Sequence, residues 1–229
     1  DRNRTSPFAF TGNKFEFRMV GSQDSVAQSN VVLNTIVAEA FCEACDILEN
    51  AENFDLAVHD LIKKYATEHQ RIIFNGNGYS DEWVAEAEKR GLPNIKSMVE
   101  AIPQYVAPEN VKAFEKFGVF TKAELESRVE IEYETYAKTI NIEARAMIDI
   151  AGKQIIPAVI KYTTSLANSL SAVKGACADA DVSVQTELLT ETSALLSETK
   201  VALSKLQEVT EQGGKMAEGA EQAAYYRDT

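Results

Sequence analysis

From Thr121 onward the apolar positions recur at steps of mostly four, four and three residues. The stripe reads Leu125, Val129, Tyr133, Tyr136, Ile140, Ala144, Met147, Ala151, Ile155, Ala158, Tyr162, Leu166, Leu170 and Val173. This spacing predicts one long helix over about 121–174, with a seam that stays straight or drifts right-handed, as an eleven-residue repeat does. Thr121-Lys122-Ala123-Glu124 has the form of a capping box, and Phe120 with Leu125 can staple it. Pro157 cannot donate to the carbonyl of Lys153 and crowds it, so a kink is expected there, after Gly152. Asp179-Ala180-Asp181 breaks the pattern. A second helix is expected over about 182–210 on Leu188, Leu189, Leu195, Leu196, Leu203, Leu206 and Val209, antiparallel to the first because the link is short. A further helical piece runs from Lys215 to Tyr226 after Gly213-Gly214.

Upstream the period changes. Over about 13–20, Phe15, Phe17 and Met19 alternate with Lys14, Glu16 and Arg18, the pattern of a half-buried strand. Val32, Leu33, Ile36, Val37, Ala40, Phe41, Ala44 and Leu48 then predict a helix over about 31–49, packed behind that strand. A helix follows over about 54–68. Arg71-Ile72-Ile73-Phe74 is a short strand candidate, ended by the Asn-Gly steps at 75–78. Ser80 is placed to cap the next helix, which Gly91-Leu92-Pro93 stops. Short helices are expected near 95–102 and 109–117, the second with Pro108 at its first position. The fold class is therefore mainly α, with short β elements near 13–20 and 71–74 and a long antiparallel helical hairpin.

Charge narrows the partners. A formal net charge of -12 argues against a nucleic acid or an anionic membrane surface. No apolar run reaches the roughly 18 residues of a membrane span. Three cysteines, Cys42, Cys45 and Cys177, cannot all pair within one chain, and such sparse use fits the cytoplasm. Cys42 and Cys45 lie three apart in a helical pattern with no second pair or nearby histidine, so they read as small apolar residues. The glycines at 76 and 78 lack the pattern of a phosphate loop. The glutamates between 124 and 134 read as a solvated acidic face.

The ionic strand is the richest candidate for chemistry. Same-face residues two apart on a strand sit roughly 6.6 to 6.8 Å from each other, so Glu16 would be held between the cations of Lys14 and Arg18. Such a row is more often only a solvated strand face. Arg4-Thr5-Ser6-Pro7 and Thr11-Gly12-Asn13 add two turns that return an arginine toward it. The segment Arg2 to Arg18 resembles the phosphate- and metal-binding end of a type III glutamine synthetase catalytic domain. Arg71 to Trp83 and Lys153 to Val159 are similar to that family's C-terminal region.

The resemblance implies ATP-dependent ligation of ammonia to glutamate through a γ-glutamyl phosphate, with Mg2+ or Mn2+ as cofactor. It implies that Glu16 ligates a metal, that Arg18 is the catalytic contact to glutamate and the transferred phosphoryl group, and that Arg4 faces the nucleotide phosphates. Lys14 stands where related classes carry a nucleotide-contacting arginine, a swap that keeps charge and loses bidentate geometry. It implies residues 1–68 as the end of a catalytic domain, residues 69–229 as a helical C-terminal region, and a ring-type homo-oligomer. The family's remaining metal ligands and its glutamate-binding loop precede this segment, so the chain reads as an internal fragment expected to be inactive alone. The competing reading is a non-catalytic helical scaffold whose first strand is a charged edge.

Overall fold

The computed structural model describes residues 8–10, 15–17 and 25–229 of the chain. The protein is mainly α. Two three-residue strands, β1 (Phe8–Phe10) and β2 (Phe15–Phe17), pair antiparallel, and only backbone is described there. The other positions of the strand expected over 13–20 lie outside the described residues. Nine helices follow among the described residues: α1 (Ala27–Leu48), α2 (Phe54–Glu68), α3 (Asp81–Lys89), α4 (Met98–Ala101), α5 (Pro108–Lys116), α6 (Lys122–Ile150), α7 (Ile156–Ala176), α8 (Ser183–Gly213) and α9 (Ala220–Asp228). The chain divides into two compact units, residues 1–96 with 104–125, and residues 97–103 with 126–229.

In the first unit the core forms where α1 meets α5 and the start of α6. Val111, Phe114 and Leu125 are buried, with Val31, Val32, Tyr105, Val106, Val119 and Phe120 packed on them. The Phe114 and Phe120 rings lie 5.6 Å apart, in the tilted arrangement aromatic pairs favour. The capping box at 121–124 closes in both directions: the Thr121 N–H donates to the Glu124 carboxylate at 2.8 Å and the Glu124 N–H to the Thr121 hydroxyl at 3.3 Å. Gly118, at φ +62°, turns the chain between α5 and this cap, a conformation open to glycine because it has no Cβ.

The face that α1 buries differs from the expected one in its middle turns, while Val32, Leu33, Ala44 and Leu48 are partly buried as expected. Ile36 and Phe41 are exposed, at 58% and 66%, whereas Thr35 is buried on the opposite side. Thr35 hides its hydroxyl by donating to the Val31 carbonyl, and Glu39 on the same side meets Lys116 of α5 at 2.6 Å. The inward side of α1 is mixed: Val31 and Val32 pack on the core, and Thr35 and Glu39 follow them one and two turns on.

The strand expected at 71–74 is absent. Gln70–Ile72 forms a single 3-10 turn and Ile73 is extended without a strand partner. A strand there would leave its carbonyls without a ladder. Arg90 takes two of them instead, donating to the Ile73 carbonyl at 2.9 Å and the Arg71 carbonyl at 3.3 Å. Phe74 stacks on Trp83 with centroids 4.1 Å apart, and Arg90 lies over the Trp83 ring. A Cβ on Gly76 would meet the Phe74 ring at 2.6 Å, so the Asn-Gly turn exists to pass under that ring. Ser80 does sit at the N-cap of α3, yet its hydroxyl donates to the Asn77 carbonyl rather than capping the helix.

In the second unit, α6 and α7 form one run interrupted by a π turn at Ala151–Ile155. The Ile156 N–H reaches the Ala151 carbonyl, a five-residue step. Pro157 sits at the first turn of α7, where its missing N–H leaves no orphan donor. The five-residue step moves the seam. Ile156, Val159 and Thr163 are the partly buried positions in the first half of α7, while Ile155 and Tyr162 are about half exposed; the expected stripe resumes at Leu166, Leu170 and Val173, which are partly buried. The link at 177–182 returns the chain, α8 packs on α7, and Leu203 of α8 comes within 3.9 Å of where a Cβ on Gly152 would lie.

At the far end, α9 folds back against the last turn of α8. Helix C-termini leave carbonyls without intrahelical donors. Gln222 donates its amide to the Gly213 carbonyl at 2.9 Å, and the Tyr225 hydroxyl donates to the Val209 carbonyl at 3.2 Å. Asn141 of α6 donates to the Tyr226 hydroxyl. Val99, Ile102, Tyr133 and Ala223 close a core beneath, with Val129, Tyr136 and Ala224 around it.

Candidate functional site

Of the residues expected to carry chemistry, Glu16 lies in β2, its Cα facing that of Ala9 across the ladder. Arg4, Lys14 and Arg18 lie outside the described residues. The side-chain geometry of the four is thus not described, and their grouping rests on sequence. A carboxylate at Glu16 is a hard oxygen donor, of the kind Mg2+ and Mn2+ take. Among the described residues no three His, Cys, Asp or Glu side chains lie close enough together to hold a metal. Cys42 is half-buried and Cys45 exposed, and neither is bonded to another cysteine. His69 packs near the Tyr65 ring, centroids 6.0 Å apart.

The described polar clusters have other work. Lys116 is held by its hydrogen bond to Glu39, which raises its pKa above the ordinary lysine value against the opposing effect of desolvation. Arg90 bonds Glu86 at 2.6 Å, and that hydrogen bond keeps the Glu86 carboxyl below its ordinary value. Arg227 is fixed by Asp228, with Glu100 3.5 Å away. Each of these arginines and lysines ties one element to another. The two-carbonyl clamp of Arg90 had one sequence signal, an arginine after the Trp83 helix and just before Gly91, and it was not recognised as a partner for 71–74.

Residues 57–174 match the family profile described as the glutamine synthetase C-terminal domain, about half of the chain. The chain belongs to that family. Its relatives agree over a longer stretch. A protein named glutamine synthetase from Butyrivibrio fibrisolvens is 38% identical over 242 aligned positions, covering 100% of this chain and 33% of that protein. The type-3 glutamine synthetase of Dictyostelium discoideum is 42% identical over 176, covering 76% of this chain and 24% of its own. The glutamine synthetase of Bacteroides fragilis (strain YCH46) is 32% identical over 237, covering 100% of this chain and 32% of its own. The chain therefore spans a third or less of the length of the curated relatives it matches, and the likeness is of the type III kind. The family profile begins at residue 57, so the ionic segment at 4–18 falls outside it and inside the two whole-chain alignments.

Within the family region no helix among the described residues is long and apolar enough to cross a membrane. The profile ends at residue 174, two residues before α7 does, so α8 and α9 lie beyond it.

Proposed function

We propose that the protein forms part of an ATP-dependent glutamate–ammonia ligase, making glutamine through a γ-glutamyl phosphate in the cytoplasm. The observation that carries the reading is the likeness across the whole chain, N-terminal segment included, to proteins named glutamine synthetase. On this reading residues 1–68 complete a catalytic domain around an ionic strand over 13–20, and residues 69–229 are a helical extension that helps build a ring-type homo-oligomer. ATP with Mg2+ or Mn2+ supplies the phosphoryl group when bound. The chain's own residues then act by position and charge, because charge in phosphoryl transfer collects on the oxygens in transit. Arg4 neutralises nucleotide phosphate, Lys14 adds a point charge beside it, Glu16 offers one oxygen ligand to the metal, and Arg18 orients glutamate and the transferred group.

The test compares ATP-dependent glutamine formation by wild type and Glu16→Ala, in a polypeptide of the relatives' length carrying this chain, across a magnesium titration. The expected result is lower activity whose remainder needs far more magnesium. A folded variant with unchanged activity and unchanged metal demand would refute the role of Glu16 and favour a scaffold.

A further inference from the structure

The hairpin of α7 and α8 leaves one long flank uncovered. On α7 the partly buried positions Ile156, Val159, Thr163, Leu166, Leu170 and Val173 step by three and four, and on α8 Leu189, Thr192, Leu196, Leu203 and Leu206 keep the same period. These are the seams along which the two helices pack. Ile155 and Tyr162 directly precede seam positions that open a step of three on α7, and Leu188 and Leu195 hold the same place on α8. An antiparallel pair is related by a twofold axis normal to its plane, which keeps equivalent positions on one side. All four side chains therefore share a flank, and they are 38% to 54% exposed. The opposite flank is mostly polar, with Lys174 on α7 and Thr186, Ser193 and Lys200 on α8 beside Ile160.

Charge separates the two helices. α7 has Lys161 and Lys174 and no carboxylate, whereas residues 183–199 of α8 have Glu187, Glu191 and Glu198 and no cation. Lys161, Glu191 and Glu198 have no ion-pair partner among the described residues. We infer that the apolar flank docks the same flank of a second copy of this chain, as a four-helix bundle with α7 of each copy antiparallel on α8 of the other. A twofold axis across the hairpin would instead lay α8 on α8 and set Glu191 and Glu198 against their own copies, where like charges repel. An axis along the hairpin brings Lys161 within about a turn of Glu191 and Glu198 of the second copy, since Leu203 lies against Gly152 and fixes the levels. Ala158 and Ser165, on either side of Lys161, are small and leave room for those glutamates. Apolar side chains in the middle with opposite charges at the rim are the build of a helix-on-helix contact. The dimer gives the homo-oligomer proposed above a contact surface, and rests on that reading only for the expectation that copies of the chain associate.

The test is sedimentation equilibrium of the 229-residue chain, which reads mass alone and is therefore decided separately from the glutamine assay. The mass should rise from 25.2 kDa toward twice that value, with a Kd of about 10 µM or tighter. Tyr162→Ser with Leu195→Ser should weaken association at least roughly tenfold. Both side chains are exposed, so helix content by circular dichroism should not change. Ile160→Ser, as exposed but on the other flank, should leave association as it is. Lys161→Glu should weaken the dimer about threefold or more, and adding Glu191→Lys and Glu198→Lys should restore it. A chain still monomeric at about 100 µM overturns the inference. So does undiminished association of the Tyr162 and Leu195 variant, or an equal loss with Ile160→Ser. Failure of the charge exchange to restore association overturns the pairing of α7 with α8, as does tighter association by Glu191→Lys with Glu198→Lys alone.

Discussion

Leu125 is the first core side chain of α6 and is completely buried. It closes the cluster of Val111 and Phe114 from below, one turn after the capping box. Leu125→Ala removes three carbons there. At about 0.8 kcal/mol per buried methylene the transfer loss is about 2.4 kcal/mol. If the surrounding rings collapse only in part, a residual cavity of about 50 Å³ adds roughly 1.2 kcal/mol at about 24 cal/mol per Å³. The sum is a loss of about 3.6 kcal/mol. Urea denaturation measures it, followed through amide exchange of α5, whose Val111 and Phe114 share that cluster, so that the first unit is read rather than the whole chain. Val201→Ala serves as the control, because Val201 is 72% exposed and should change stability by less than about 0.5 kcal/mol. A loss below about 1 kcal/mol at Leu125, with α5 protection intact, would show that this cluster does not hold the unit together.

Thr121→Ala removes one half of the capping box and should cost about 1 kcal/mol in thermal or urea unfolding, whereas Glu124→Gln, which can still accept from the Thr121 N–H, should cost less. Asp181 accepts from the Ser183 N–H at 2.9 Å, which holds its carboxyl below the ordinary 3.8. The folded state therefore binds that proton less tightly than the unfolded chain. The stabilisation is full above the ordinary carboxylate value and fades as pH falls through the lower folded value, so Asp181→Asn should flatten the acid limb of a stability–pH curve. Gly213→Ala places a Cβ 2.6 Å from the Tyr226 ring, and the ring must give way. We expect exchange protection of α9 to drop by the equivalent of about 1 to 3 kcal/mol, with α7 unaffected; unchanged protection would mean that Tyr226 does not seat α9.

Much of the helical layout was legible because its signals are local. The capping box at 121–124 and Pro108 opening α5 both act within one turn of chain. The misreadings came from contacts distant in sequence and from one local irregularity, the π turn. Arg71 to Phe74 has strand-forming residues, but a strand needs a neighbour, and the donors to its carbonyls come from Arg90. The expected face of α1 holds at Val32, Leu33, Ala44 and Leu48, which are partly buried, and fails in the middle turns, where Ile36, Val37 and Phe41 are exposed and Thr35 is buried instead, with Glu39 bonded to Lys116 77 residues away. The seam of the long helix was drawn through Ile155, Ala158 and Tyr162, whereas burial follows Ile156, Val159 and Thr163. A periodicity argument assumes a constant pitch, and one π turn breaks that assumption. The candidate site was legible only as a pattern of charges at Arg4, Lys14, Glu16 and Arg18, since a metal or phosphate site is defined by side-chain positions that such a pattern does not carry.

The π turn at Ala151–Ile155 has a consequence for length variation in this family. Removing one residue from an ordinary helix interior rotates everything beyond it by about 100° and turns the buried face outward. At this turn the opposite holds: losing one residue converts the five-residue step from Ala151 to Ile156 into a regular step of four, and the seam toward Leu166 and Leu170 stays in line. The same loss would put Pro157 inside an uninterrupted helix, at a cost of about 3 kcal/mol. Chains one residue shorter here should therefore also lack the proline, and the two changes would be inherited as a pair.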